Sequence, residues 1–147
     1  MDKFIQKIVR KHRTNCPFSL AARLNITITY EDLGQTTNGF FCRRLRRNYI
    51  VLHYDAPYQQ QRFTCAHEIG HFFFDKGTSY FMLEQNTLQL PAKFEHRANR
   101  FAVHLLSFGN QIEPGETITE FCLKHGIPIN MHRYLEYFFP VQNKAFF

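Results

Sequence analysis

Five consecutive residues in the middle of the chain, His67-Glu68-Ile69-Gly70-His71, set two imidazoles four positions apart with a carboxylate beside the first. In an α-helix, positions i and i+4 lie on nearly one face, about 6 Å apart along the axis at about 1.5 Å per residue. Two imidazoles placed this way can both reach one ion at about 2.0–2.1 Å, which makes half of a tetrahedral zinc site. Glu68 then overhangs the open coordination position, where a carboxylate can take the proton of a water attacking a carbonyl. A lone histidine on a Phe-rich helix reads as a packed or solvent-facing side chain. Two histidines at metal spacing beside a glutamate read as a hydrolytic metal centre.

A catalytic zinc needs a third protein ligand and one open position. Glu84, Glu95, His96 and His104 are the downstream candidates. Glu95 is favoured because it opens a segment in which Phe94, Ala98, Phe101, Ala102, Leu105 and Leu106 recur at helical spacing. That apolar face packs its helix against the first and carries Glu95 with it. Asn99, one turn on, points the same way and can hydrogen-bond a metal ligand from behind. His96 points about 100° away, and His104, further along, reads as structural. His53, closing a strand just before the first helix, is a candidate for assisting an oxyanion or contacting substrate.

The remaining elements follow from periodicity and turn chemistry. Met1–Arg13 is an amphipathic helix with Phe4, Ile5, Ile8 and Val9 inward, and a short helix follows with Pro17 in its first turn and Asn25 as its stop. Ile26–Tyr30, a segment opening at Phe40-Phe41-Cys42, and Tyr49–Tyr54 read as three strands. Residues 43–48 then form a basic hairpin tip, where Arg43, Arg44, Arg46 and Arg47 either line an approach to the cleft or keep a sheet edge soluble. Asp55 is the expected cap of the central helix and Gly77 its stop, with a loop over Thr78–Pro91. Thr117-Ile-Thr-Glu120 has the capping-box pattern, Gly126 closes that helix, and Pro128 starts a last one rich in Tyr and Phe.

With 147 residues, 44% hydrophobic and 20% charged, the chain is expected to be one domain with a sizeable, Phe-rich core. No apolar run is long enough to span a bilayer and the N-terminus lacks the apolar stretch of a signal peptide, so a cytoplasmic protein with no membrane partner is expected. Cys16, Cys42, Cys65 and Cys122 are widely spaced without a C-x-x-C and read as reduced thiols. The net charge of +6 is concentrated: residues 1–50 hold 10 Lys/Arg against 3 Asp/Glu, the rest 8 against 9. Such charge fits nucleic acid or an acidic protein. With no helix-turn-helix signature, direct nucleic-acid binding is not expected.

The segments Cys16-Pro-Phe-Ser-Leu-Ala21, Gly39-Phe40, Phe63-Thr-Cys-Ala-His-Glu-Ile-Gly-His71 and Glu95-His-Arg-Ala-Asn-Arg-Phe-Ala-Val-His-Leu-Leu106 together resemble the ImmA/IrrE family of metallopeptidases. The resemblance covers roughly residues 14–107, a family-like catalytic core, and leaves 108–147 as a helical C-terminal part. It implies an α+β, small zincin-like fold with a short three-stranded sheet, an H-E-x-x-H helix and several packed helices. It also implies a gluzincin-like zinc site in which His67, His71 and Glu95 bind Zn²⁺. Members resembling ImmA are encoded by phages and mobile elements and cleave a partner helix-turn-helix repressor, whereas those resembling IrrE carry extra domains. The length favours the ImmA-like branch. His53 stands where Asn is expected, and Arg97 where the family often has a second Glu.

The expected function is therefore zinc-dependent endopeptidase action on such a repressor. The alternatives are a noncatalytic metal-binding or DNA-binding regulator, for which Glu68 has no use, and a two-histidine, one-carboxylate iron oxygenase, which has the same ligand types.

Overall fold

The computed structural model describes residues 1–75 and 92–138. The chain begins with α1 (Asp2–His12) and α2 (Pro17–Arg23), followed by three strands, β1 (Ile26–Glu31), β2 (Gly39–Arg44) and β3 (Arg47–His53). Two long helices come next, α3 (Tyr58–Phe74) and α4 (Ala92–Leu106), then α5 (Ile118–His125) and a 3₁₀ segment, Ile129–Phe138. The architecture is α+β, and no helix among the described residues is long and apolar enough to cross a membrane.

The sheet has the order β1-β3-β2, so the strand last in sequence is central. β3 runs parallel to β1, with Thr27 opposite Tyr49 and Tyr30 opposite Leu52. It is antiparallel to β2, with Gly39 opposite Leu52 and Arg44 opposite Arg47. The central place suits its sequence: Ile50, Val51 and Leu52 form a continuous buried run, as in strands covered on both faces. The ladder extends further than the sequence pattern predicts, reducing the basic tip at 43–48 to a two-residue turn at Leu45-Arg46.

The core lies between this sheet and the helices. Ile5 and Ile8 of α1, Leu20 of α2, Ile50 and Leu52 of β3, Ile69 of α3 and Phe101 and Leu105 of α4 belong to one buried cluster. Among the described residues the buried phenylalanines are Phe63, Phe101 and Phe121, and the partly buried Phe4, Phe73 and Phe74 pack against the core, with the Phe4 ring 5.3 Å from Phe73 and 5.1 Å from Phe74 between centroids. The four cysteines are free thiols.

Two boundaries fall where local chemistry places them. Asn25, at φ 56°, turns the chain from α2 into β1, and Asn tolerates that left-handed conformation better than most residues. Thr117 and Glu120 form the full capping box of α5, and Gly126 closes that helix at φ 67°. Two expectations are corrected. α3 is preceded by Pro57 in extended conformation, while Asp55 lies within the turn closed by Ala56 N–H on His53 O (3.3 Å). The segment after Pro128 is 3₁₀ because Met131 N–H bonds Pro128 O at 2.8 Å, and the His132 ring takes Ile129 O at 2.7 Å, the acceptor an α-helical turn would use. Gly77 and the loop over Thr78–Pro91 lie outside the described residues.

Candidate active site

The site is built on the contact between α3 and α4, and that contact depends on a missing side chain. A Cβ on Gly70 would lie 2.9 Å from Ala98 Cα and 3.3 Å from Ala98 Cβ and O, closer than carbon atoms comfortably approach. The absence of a side chain at Gly70 lets the two backbones come this near. The residues flanking this contact, His67 and His71 on α3 and Glu95 on α4, are thereby brought face to face.

Their ligand atoms all lie within 4.8 Å of one another. His67 Nε2 and His71 Nε2 are 3.0 Å apart, and the rings stand at 80° to each other. The Glu95 carboxylate spans the pair, Oε2 3.3 Å from His67 Nε2 and Oε1 3.3 Å from His71 Nε2. Two donors held tetrahedrally by an ion at about 2.0–2.1 Å are about 3.3 Å apart, so the three atoms already sit near the edges of such a site. Glu95 is 44% exposed against 14% for His67 and 8% for His71, so the cluster opens on the Glu95 side.

The outer ring nitrogens are occupied. His67 Nδ1–H donates to Asn99 Oδ1 at 2.7 Å, and His71 Nδ1–H donates to Asp75 Oδ2 at 2.6 Å. These bonds set the tautomer, leaving both Nε2 lone pairs directed at one point. Asp75 is buried, and its other oxygen accepts from Arg97 at 3.1 Å. The Arg97 guanidinium lies over the Phe94 ring at 5.0 Å and the Phe74 ring at 5.7 Å. Arg97, the departure from the family pattern, thus steadies a carboxylate that orients His71.

Converging lone pairs require a cation or a proton. Burial alone would depress the His71 pKa, but hydrogen bonds to Glu95 and Asp75 and the nearby Glu68 raise it to about 9. Contacts with His67 and His71, whose Nε2 atoms donate only when they carry a proton, hold the Glu95 carboxyl far below the usual range. Glu68 moves the other way: burial raises its pKa, opposed by the charges of His67 and His71. Its carboxylate also accepts the Phe41 backbone N–H of β2. That donor is free because the register points it outward. His53 N–H bonds Asn38 O at 2.8 Å, and alternation from this pair leaves Gly39, Phe41 and Arg43 with main-chain groups directed away from β3.

The other sequence candidates lie elsewhere. The His53 ring sits on the β1 side of the sheet, its Nδ1 3.2 Å from Glu31 O and 3.5 Å from Leu33 N. His96 Nδ1 is 2.7 Å from the Tyr134 hydroxyl. His104 is buried and bonded to the Asp2 carboxylate at the start of the chain. Glu84 lies outside the described residues. Asp75 is the site residue that sequence reasoning missed, although its position four residues after His71 is a legible i, i+4 signal.

Fold and site together define an α+β domain with a two-histidine, one-carboxylate cluster across two packed helices and a buried glutamate beside it. Comparison with known proteins narrows this class. Residues 21–107 match the Peptidase_M78 family model, described as the IrrE N-terminal-like domain. Over 102 residues, 69% of this chain, the sequence is 31% identical to an "Uncharacterized immunity region protein 2" of Bacillus phage phi105. It is also 31% identical over 102 residues to "Metallopeptidase ImmA" of Bacillus subtilis (strain 168). The matches span 65% and 60% of those relatives' own lengths, less than two thirds of either. The chain belongs to the ImmA/IrrE metallopeptidase family.

Proposed function

We propose that this chain is a zinc-dependent endopeptidase, a single zincin-like domain acting in the cytoplasm. The observation that carries the reading is the convergence of His67 Nε2, His71 Nε2 and the Glu95 carboxylate within 4.8 Å, beside a buried Glu68. The two-nitrogen, one-oxygen donor set with an open side suits catalytic zinc. When bound, the ion would polarise a peptide carbonyl and acidify the attacking water.

This chain's own residues do the rest. Glu68 takes the proton of the attacking water and returns it to the leaving amine. The burial that raises its pKa brings it nearer the range in which a carboxyl does both. The Phe41 N–H orients the carboxylate, and Asn99 and Asp75 keep both imidazoles in the metal-binding tautomer. The outward main-chain groups of Gly39 and Arg43 flank Phe41 on the β2 edge, and an extended substrate segment can pair with them as an added strand.

The substrate reading is a helix-turn-helix repressor of a phage or mobile element. It is supported by the likeness to a phage immunity-region protein and to a protein named metallopeptidase. The experiment is to load the purified protein with zinc, incubate it with a helix-turn-helix repressor of a phage or mobile element, and follow both by intact mass. One zinc per chain and a single cut that disappears in Glu68→Gln are expected. A protein that retains no zinc, or a cut that persists in Glu68→Gln, would overturn the reading.

A further inference from the structure

Two features of the β2–β3 hairpin oppose its own folding, and a third does nothing for it. Its turn residues Leu45 and Arg46 both have positive φ, 49° and 64°. Positive φ at both central positions is the type I′ arrangement, which Asn-Gly fills easily and larger L-residues resist. Arg44 and Arg47 face each other directly across the ladder, a like-charged cross-strand pair. Leu45 is 96% exposed and adds nothing to the core. The four arginines of the tip are all exposed, and none is in an ion pair among the described residues. A turn needed only to reverse the chain would be better served by Asn-Gly between opposite charges. Unfavourable local choices occurring together point to a binding site.

The tip is also joined to the catalytic centre by the same strand. Phe41 donates its N–H to Glu68, and Leu45 follows four residues later, about 13 Å along at about 3.3 Å per residue. A polypeptide lying along β2 meets the arginines within a few residues of Phe41, the residue beside Glu68.

We infer that the tip from Arg43 to Arg47 docks an acidic segment of the protein substrate, one that carries an apolar side chain to cover Leu45. The partner's role as substrate rests on the peptidase reading; the binding does not. The exposed leucine favours a protein over a nucleic acid. Protein contacts have an apolar centre and a polar rim, whereas a phosphate backbone needs only the charge. The other basic surface shows the contrast: Lys3, Lys7, Arg10 and Lys11 on α1 are exposed with no large exposed hydrophobic residue on that helix.

The test uses the full chain with Glu68→Gln and no added metal, so binding is read separately from zinc loading and cleavage. Fluorescence anisotropy would follow a short labelled Asp/Glu peptide with one central Leu, the same peptide with Ser for Leu, and a short DNA duplex. Arg44→Ser with Arg46→Ser should weaken binding of the Leu peptide by about tenfold or more at low salt, a loss that shrinks as salt rises. Leu45→Asn with Arg46→Gly fits the type I′ turn, so this variant should melt higher than its parent and still bind the peptide poorly. Lys3→Ser with Lys7→Ser removes equal charge elsewhere and should change binding by less than about twofold. The Ser peptide should bind the parent more weakly than the Leu peptide. No binding by the parent, an equal loss in the α1 variant, equal affinity for both peptides, or tighter hairpin-dependent binding of the DNA would each overturn the inference.

Discussion

Replacing Gly70 by Ala would test whether the close approach of α3 and α4 creates the metal site. The added Cβ would meet Ala98 Cα at 2.9 Å and Ala98 Cβ and O at 3.3 Å. Comfortable carbon contacts begin near about 3.5 Å, so the helices must part by roughly half an ångström. Metal coordination tolerates only about 0.2 Å, and Glu95 rides on the helix that moves. Overpacking of this kind costs about 1–3 kcal/mol. If α4 relaxes outward in the metal-free protein, zinc must pull it back, and the cost is transferred to binding. At about 1.4 kcal/mol per factor of ten, this makes zinc binding roughly 5- to 150-fold weaker. If the helices do not relax, the same strain lowers the melting temperature by several degrees, at roughly 2–8 °C per kcal/mol. Zinc affinity from competition with a chromophoric chelator, read beside metal-free thermal melts, separates the two cases. Unchanged affinity together with an unchanged melt would refute the claim that this contact sets the ligand geometry.

Three further predictions concern the groups around that geometry. Asp75→Ala removes the acceptor that orients His71 and should weaken zinc about 10- to 100-fold; unaltered affinity in chelator competition would deny Asp75 that role. Glu68→Gln keeps the ligands and should retain zinc by elemental analysis while cleavage falls by about 10²-fold or more. The metal-free protein should lose stability as pH rises. The stabilisation from the raised His71 pKa is fully present below about 6.5 and is lost as pH climbs through about 9, a change on the order of 3 kcal/mol. Glu68, raised by burial, acts in the same direction, whereas the depressed Glu95 loses its contribution as pH falls below about 4.5. Metal-free melting temperatures should therefore be highest between about pH 4.5 and 6.5. The gain on adding zinc should grow toward pH 9, because zinc displaces a proton that is then easier to release; a gain that is flat across this range would contradict the shared site.

What was legible in the sequence was local. His67 and His71 share a face because a helix turns by a fixed angle per residue, and the capping box at Thr117 and Glu120 follows from the same regularity. Glu95 and Asn99 could be placed together for that reason, and the apolar face from Phe94 to Leu106 indicated that their helix packs. Tertiary structure decided whatever depends on how separate elements meet. The approach of Gly70 to Ala98, the Phe41 N–H offered to Glu68, the Arg97 contact to Asp75 and the burial of His104 beside Asp2 all join residues far apart in the chain. The strand order belongs with them: hydrophobic pattern identifies three strands, but the sheet puts the last in the middle, where its unbroken apolar run is covered on both faces. Periodicity fixes which residues share a face, while distances between faces depend on how side chains of different elements fill the space between them.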